Sequence, residues 1–252
     1  MGDRYIASER IRCDWVLPFI PATKWAGERV QDYDAIVYSK TDPRIFYAQK
    51  PDQRTVLDLC DPVWREAPKV LSDALDLTDI VTVPTVAALE DFREAMGEFP
   101  AAVVRDGHDL NYYPTLPKLG PKFVWFGYSE NYPRDADGGY LDFELDDLLV
   151  VSDKDPCVGK FHRWENDLEA FRHISRCQVA IIPNGAPLKS NNREIAAYAM
   201  GLAVAREIED IDRFDDPAEI AKDIEEHQPL MQEHSAVVAA NEFREAIYGG
   251  AG

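Results

Sequence analysis

Apolar residues in this chain come in short runs with polar ends, and longer stretches of helical period lie between the runs. Asp34-Ala35-Ile36-Val37-Tyr38-Ser39-Lys40 is one such run. Arg54-Thr55-Val56-Leu57-Asp58-Leu59-Cys60-Asp61-Pro62 is another, closed by its proline. Short runs with β-branched residues and polar boundaries predict buried strands. Ile80 to Val83, Pro100 to Arg105, Lys122 to Gly127, Leu148 to Ser152, Val179 to Ile182 and Leu202 to Ala205 repeat the pattern. Helices are predicted over Lys69 to Leu75, Val86 to Met96 with Thr85 as cap, Asp167 to Arg176, and Ala218 to Glu226 behind Pro217. A final amphipathic helix, set off by Pro229, extends to Tyr248. Strands alternating with helices in this rhythm imply an α/β protein with a largely parallel sheet. Tyr113 to Pro121 carries three prolines and a glycine and is the expected linker. It divides the chain into two Rossmann-like α/β domains, 1–116 and 117–252, facing across a cleft. The last helix is free to return to the first domain.

One unit combines this pattern with chemistry. The strand Val179 to Ile182 runs into a loop that ends on Lys189-Ser190-Asn191-Asn192-Arg193. A helix follows, and Gly201 closes it ahead of the next strand. In an open parallel sheet, ligands occupy the crevice beyond the carboxyl ends of the strands. A helix N-terminus there supplies unpaired N–H groups and a partial positive charge, which suits phosphate. Lys189 and Arg193 add cations of the kind that stabilise a diphosphate leaving group. Asn192 is expected to bond a ribose or sugar hydroxyl, and Ser190 belongs to the same cluster.

Composition narrows the reading. At 252 residues the chain suits one large domain or two smaller ones. Its net charge is −19, from 46 acidic and 27 basic residues. Such a surface repels polyanions at long range and argues against non-specific nucleic-acid binding, which depends on phosphate neutralisation. Cys13, Cys60, Cys157 and Cys177 are widely spaced with no CxxC pair, so reduced, buried thiols are expected. No apolar run approaches the roughly 18 to 20 residues that span a bilayer. The first residues, Met-Gly-Asp-Arg-Tyr-Ile, carry no signal-peptide core, so a cytoplasmic location is expected.

Further polar groups fall at predicted strand ends. Arg10, Arg12 and Lys40 are candidates for facing an acceptor or a phosphate. Asp61 and His108 are candidate general bases. Gly127, Tyr128, Ser129 and Asn131 follow the first strand of the second half and belong with the donor site. Asp135-Ala136-Asp137 and Asp210-Ile211-Asp212 have metal-binding spacing but read as solvated loops, so no metal site is expected.

Three segments in order resemble the GT-B glycosyltransferases, in particular the retaining, sugar-nucleotide-dependent group called family four. Arg105-Asp106-Gly107-His108-Asp109-Leu110-Asn111-Tyr112-Tyr113-Pro114 resembles the family's "PNGVDxxxFxP". Trp125-Phe126-Gly127-Tyr128 resembles "FVGRL", and Ala197-Tyr198-Ala199-Met200-Gly201-Leu202-Ala203-Val204 resembles "EAMAxGxPVV". The resemblance implies a metal-independent transferase that takes a UDP- or GDP-sugar as co-substrate, binds no permanent cofactor, and delivers the sugar to an acceptor hydroxyl. Small phage enzymes of this type glycosylate hydroxymethylated DNA bases, which makes modified DNA an acceptor by association, in a host cytoplasm if the chain is phage-encoded. The chain also departs from the family. Tyr128 replaces an arginine that contacts phosphate, and Ala196 replaces a ribose-binding glutamate. The Lys-Ser-Asn-Asn-Arg cluster resembles a "KxxNR" variant in which Lys and Arg take the phosphates. Two alternatives stay open: a nucleotide-sugar epimerase of the same fold, and a non-catalytic nucleotide- or glycan-binding protein.

Overall fold

Two parallel sheets organise the chain. The computed structural model describes residues 10–24, 29–39, 52–183 and 191–249, with backbone alone at residues 10 and 30. The first sheet has β1 (Ala35–Ser39), β2 (Arg54–Asp58), β3 (Ile80–Val83) and β4 (Ala101–Val103), in the order β1-β2-β3-β4. The second has β5 (Phe123–Phe126), β6 (Leu148–Ser152), β7 (Lys160–Arg163), β8 (Val179–Ile181) and β9 (Ala203–Ala205), in the order β7-β6-β5-β8-β9. Each sheet belongs to its own compact unit. Among the described residues, unit one holds those up to Asp109 and those from Glu233, and unit two holds 110–183 and 191–232.

The apolar runs form strands because these sheets are covered on both sides, which favours continuous hydrophobic sequence over alternation. Every residue of β5 and β6 is buried. The edge strands β1, β4 and β7 are less buried, and β7 is the most polar of them, with a half-exposed Lys-Phe-His-Arg sequence. No apolar run announces it. Helix starts follow local capping chemistry. Thr85 accepts from Ala88 N–H ahead of α3 (Val86–Met96), behind the short α1 (Val63–Glu66) and α2 (Pro68–Leu75). Asn166 caps α4 (Asp167–Ile174), and α5 (Asn192–Ala199) follows β8. Asp216 caps α6 (Pro217–Glu226), with proline in its first turn. The chain ends on α7 (Gln228–Glu233) and α8 (Ala236–Tyr248). The four cysteines form no disulfide, and Cys157 is exposed where a buried thiol is expected.

In unit one, Trp64, Leu71 and Phe92 pack with Leu57, Val81 and Val83 on one side of the sheet. On the other, Ala239, Ala240, Phe243 and Ile247 of α8 meet Val56 and Val104. A buried ion network lies on this second side. Arg12 donates from Nε to Asp58 at 3.1 Å, from Nη2 to the other Asp58 oxygen, and from Nη1 to the Val104 carbonyl and to Asp106. Its guanidinium stands over the Phe243 ring. Asp58 also accepts from Ser39 Oγ at 2.9 Å and Thr82 Oγ1 at 2.7 Å. Burial disfavours the guanidinium charge, but Asp58 and then Asp106 outweigh it and hold Arg12 above the ordinary arginine pKa. An acid inside an apolar strand demands this partner, because a buried charge left alone is costly.

In unit two, Lys118 donates to the Ser175 and Met200 carbonyls, both at 2.8 Å. These residues are the C-caps of α4 and α5, so one cation sits where two helix dipoles are negative. Gly201 follows in the left-handed region at φ 70°. Its N–H bonds the Tyr198 carbonyl, and that of Leu202 bonds Ala197, the paired bonds of a Schellman turn.

Two expectations follow. Arg12→Met should lower stability by about 3–5 kcal/mol, since Asp58 then keeps a dry charge with only neutral hydroxyl and thiol partners. Urea denaturation measures it, and a loss below about 1 kcal/mol would mean the network is not desolvated. For Lys118, burial pushes the pKa down from 10.5 to about 8. A neutral amine keeps two N–H donors, enough for both carbonyls. Between these values the unfolded chain binds a proton that the folded chain has released, so stability from this position rises with pH. The stability difference between wild type and Lys118→Met should therefore climb from pH 8 to 10.5. A flat difference would contradict the assignment.

Candidate functional site

In unit two the chain builds β5-β6-β7 toward one side of the sheet and β8-β9 toward the other. The reversal falls between β5 and β8. At such a switch point the connections diverge and leave a crevice at the carboxyl ends of the strands. Gly127-Tyr128-Ser129 leaves β5 there, Asp153 leaves β6, Arg206 leaves β9, and α5 follows β8.

Arg193 lies in the first turn of α5. Its guanidinium is 5.8 Å above the Trp125 ring. Trp125 and Gly127 share one face of the strand by its two-residue period. A Cβ on Gly127 would come within 3.5 Å of Arg193 Nη1 and 3.4 Å of the Trp125 ring. With φ at 145°, this position also excludes an ordinary side chain on conformational grounds. Arg193 Nη1 is buried without a hydrogen-bond partner. No carboxylate pairs with it among the described residues; burial lowers its pKa, and neighbouring Glu194 acts in the opposite sense. The helix start lacks a side-chain cap bond from its N-cap residue, Asn191, unlike those behind Thr85, Asn166 and Asp216, and Asn191 Oδ1 is buried and unpartnered.

The surrounding groups are tied down. Asp153 accepts the Ser129 N–H at 2.8 Å, which fixes the loop after Gly127 and, with help from the Ser129 and Ser152 hydroxyls, holds the Asp153 pKa low. Arg206 pairs with Glu194 at 3.0 Å. Tyr198 stacks on His227 and donates to Asp223 at 3.2 Å. This arrangement can hold an anion against the Arg193 guanidinium, which has an unpartnered nitrogen among the described residues, and the amides at the start of α5.

The expected residues fall unevenly. The structure brings Gly127 and Arg193 together. Tyr128 is half-exposed beside them, Ser129 is buried, and Asn131 is exposed with its N–H closing a turn onto the Tyr128 carbonyl. Asn192 opens α5 and is partly buried. Lys40, Lys189 and Ser190 lie outside the described residues, as does the side chain of Arg10, whose backbone is in the helical turn Arg10–Asp14. Arg12 corrects an expectation: it is 3% exposed and held by Asp58 and Asp106, so it is a structural ion pair and not a cation facing phosphate. In unit one, Asp61 is partly buried past the end of β2, and its carbonyl accepts from Val63 N–H. His108 is buried, with its backbone bridged to the segment around Ser235 and its ring near Trp15. Sequence reasoning missed Trp125 as the floor under Arg193, and the placement of Asp153 and Arg206. The last two stand directly after strands, and that position was the available signal. Among the described residues no three His, Cys, Asp or Glu side chains group to hold a metal, and no helix is long and apolar enough to cross a membrane.

No known family model and no curated protein matches the sequence. Solved structures do resemble it. The chain is similar to Anabaena Alr3699/HepE in complex with UDP and glucose, with a TM-score of 0.63 at 14% identity over 87% of this chain and 79% of that one. The fold is GT-B-like. A second structure of HepE, in complex with UDP, gives 0.50 at 14% identity over 86% and 75% of the two chains. The Glycosylation Associate Protein (Gap123) complex from Streptococcus agalactiae gives 0.52 at 9% identity over 88% and 55%.

Gly127→Ala should lose about 1–3 kcal/mol from backbone strain. Thermal unfolding reads the loss. An unchanged midpoint would mean that the end of β5 takes another conformation.

Proposed function

We propose that this chain is a glycosyltransferase that moves a sugar from a nucleoside-diphosphate donor to an acceptor hydroxyl. The observation that carries the reading is Arg193, a half-buried residue whose guanidinium has a buried, unpartnered nitrogen, in the first turn of α5. A cation in that setting is expensive unless a ligand supplies the opposite charge. A diphosphate supplies it in two adjacent groups. As the glycosidic bond breaks, negative charge grows on the departing phosphate oxygen, and Arg193 with the α5 amides stabilises it. These groups do what a divalent ion would otherwise do, so the transfer runs without metal. Arg193 also takes the place of the phosphate-binding arginine that Tyr128 replaces, since its guanidinium lies against Gly127. In this reading Lys189 and Ser190 add a second cation and a hydroxyl to the phosphates, and Asn192 bonds a ribose or sugar hydroxyl. The UDP in the HepE structures supports UDP as the first nucleotide to try, with GDP second.

The protein's part in proton transfer depends on stereochemistry. If configuration is retained, the departing phosphate accepts the acceptor's proton. If it is inverted, we assign the base to Asp61, which is partly open, in preference to His108, whose ring is buried. Hydroxymethylated DNA is the acceptor to test first.

Arg193→Ala should remain folded, weaken UDP binding and cut turnover of sugar nucleotides by about a hundredfold or more. Nucleoside-diphosphate release measures turnover, and the mass of hydroxymethylcytosine DNA incubated with a donor panel reports transfer. Full activity in the variant would overturn the diphosphate assignment, and no mass gain with any donor would remove DNA from the acceptors. Binding without turnover would favour a non-catalytic role.

A further inference from the structure

Glu194 is out of place beside an anion site. It follows Arg193 in the first turn of α5, where a carboxylate steadies the helix dipole but repels a phosphate at the same end. Its charge also reaches Arg193, whose pKa it raises against the lowering effect of burial. The structure meets this conflict with Arg206, which leaves β9 at the same edge of the sheet. Arg206 Nη2 donates to Glu194 at 3.0 Å, with side-chain exposures of 26% and 15% for the two residues.

Arg206 is itself held from behind. The same nitrogen approaches Tyr198 Oη at 3.1 Å and His227 Nε2 at 3.3 Å. His227 Nδ1 lies 2.7 Å from the Asp223 carbonyl, which assigns the proton to Nδ1 and leaves Nε2 to accept from Arg206. Tyr198 stacks on His227 at 4.6 Å, and Asp223 accepts from Tyr198 and from the Val204 N–H. Arg213 stands 3.4 Å from the other Asp223 oxygen. These bonds leave the guanidinium little freedom to turn from Glu194 toward the crevice.

We infer that Arg206 is a positioning residue for the diphosphate site, which neutralises Glu194 and keeps its carboxylate turned away from Arg193. The inference rests on the donor site proposed above. With Arg193 and Arg206 positive and Glu194 negative, the group presents one net positive charge to the ligand. Without Arg206 the sum is zero, and Arg193 faces an uncompensated acid on the next residue. One unit charge at about 8–10 Å in a partly exposed site changes a binding constant about tenfold or more.

The test is titration calorimetry of the whole chain with UDP, GDP and inorganic pyrophosphate, each alone. Arg206→Ala should weaken binding of the nucleotide that wild type takes by about tenfold, and Arg206→Lys should keep it within about threefold. The double variant Arg206→Ala, Glu194→Gln should return to near the wild-type affinity, because it restores the net charge. Rescue separates this role from a structural one: deleting a second partner repairs an electrostatic imbalance but not a packing defect. Arg206→Ala with unchanged affinity, or a double variant no better than the single, would overturn the inference while leaving the donor site intact, provided Arg193→Ala weakens binding. If wild type binds none of the three probes, the donor site fails and this inference fails with it.

Discussion

A half-buried guanidinium with no carboxylate opposite it among the described residues is the constraint around which unit two is arranged. Gly127 supplies the backbone conformation that ends the strand beside Arg193, and Trp125 forms the floor beneath. Asn191 makes no side-chain cap bond at the same point. Unit one contains the contrasting case. Arg12 is more deeply buried, yet Asp58, Asp106 and the Val104 carbonyl satisfy it from three directions. Desolvation opposes both charges. The difference is where the compensation comes from, inside the fold for one and from a ligand, in our reading, for the other.

Helix α5 is the element on which this arrangement turns, and it is secured at both ends. Lys118 binds the Met200 carbonyl at its C-terminus, and Gly201 closes the turn there. At the N-terminal end Glu194 is tied to Arg206, which in turn rests on Tyr198 and His227. The Lys118 clamp also holds the C-cap of α4, so the helices entering β8 and β9 share one cation. Position at the crevice is thus set partly from the opposite edge of the sheet.

Much of the fold was legible because its signals are local. Apolar runs marked β2, β3, β5, β6 and β8, and Thr85 and Pro217 marked helix starts before any contact was known. The Asn192–Arg193 helix start after β8, and Gly127 at the end of β5, were legible as places in the fold for the same reason: strand, loop and helix follow in sequence. What stayed hidden depends on pairing across distance. Arg12 and Asp58 are 46 positions apart, and nothing near Arg12 says that its charge is already matched. Asp58 held half the signal, as an acid inside an apolar strand. Lys118 sat in a proline-rich stretch read as linker, although Tyr113 in that stretch is buried against Phe171. The Glu194–Arg206 pair was equally silent, because ordinary surface helices carry the same residues.

The polarity that concealed β7 has a second consequence. A strand at the border of a sheet exposes unpaired backbone groups that can recruit another molecule's strand. Here the border reads Lys160-Phe161-His162-Arg163, with both of its ends exposed and one apolar side chain to offer. A foreign strand docking on it would have to desolvate cationic side chains to gain a few backbone bonds. Natural sheets discourage edge-to-edge aggregation by this means, and a chain with nine parallel strands among its described residues, which assemble slowly from distant segments, has particular use for it while folding in a crowded solution.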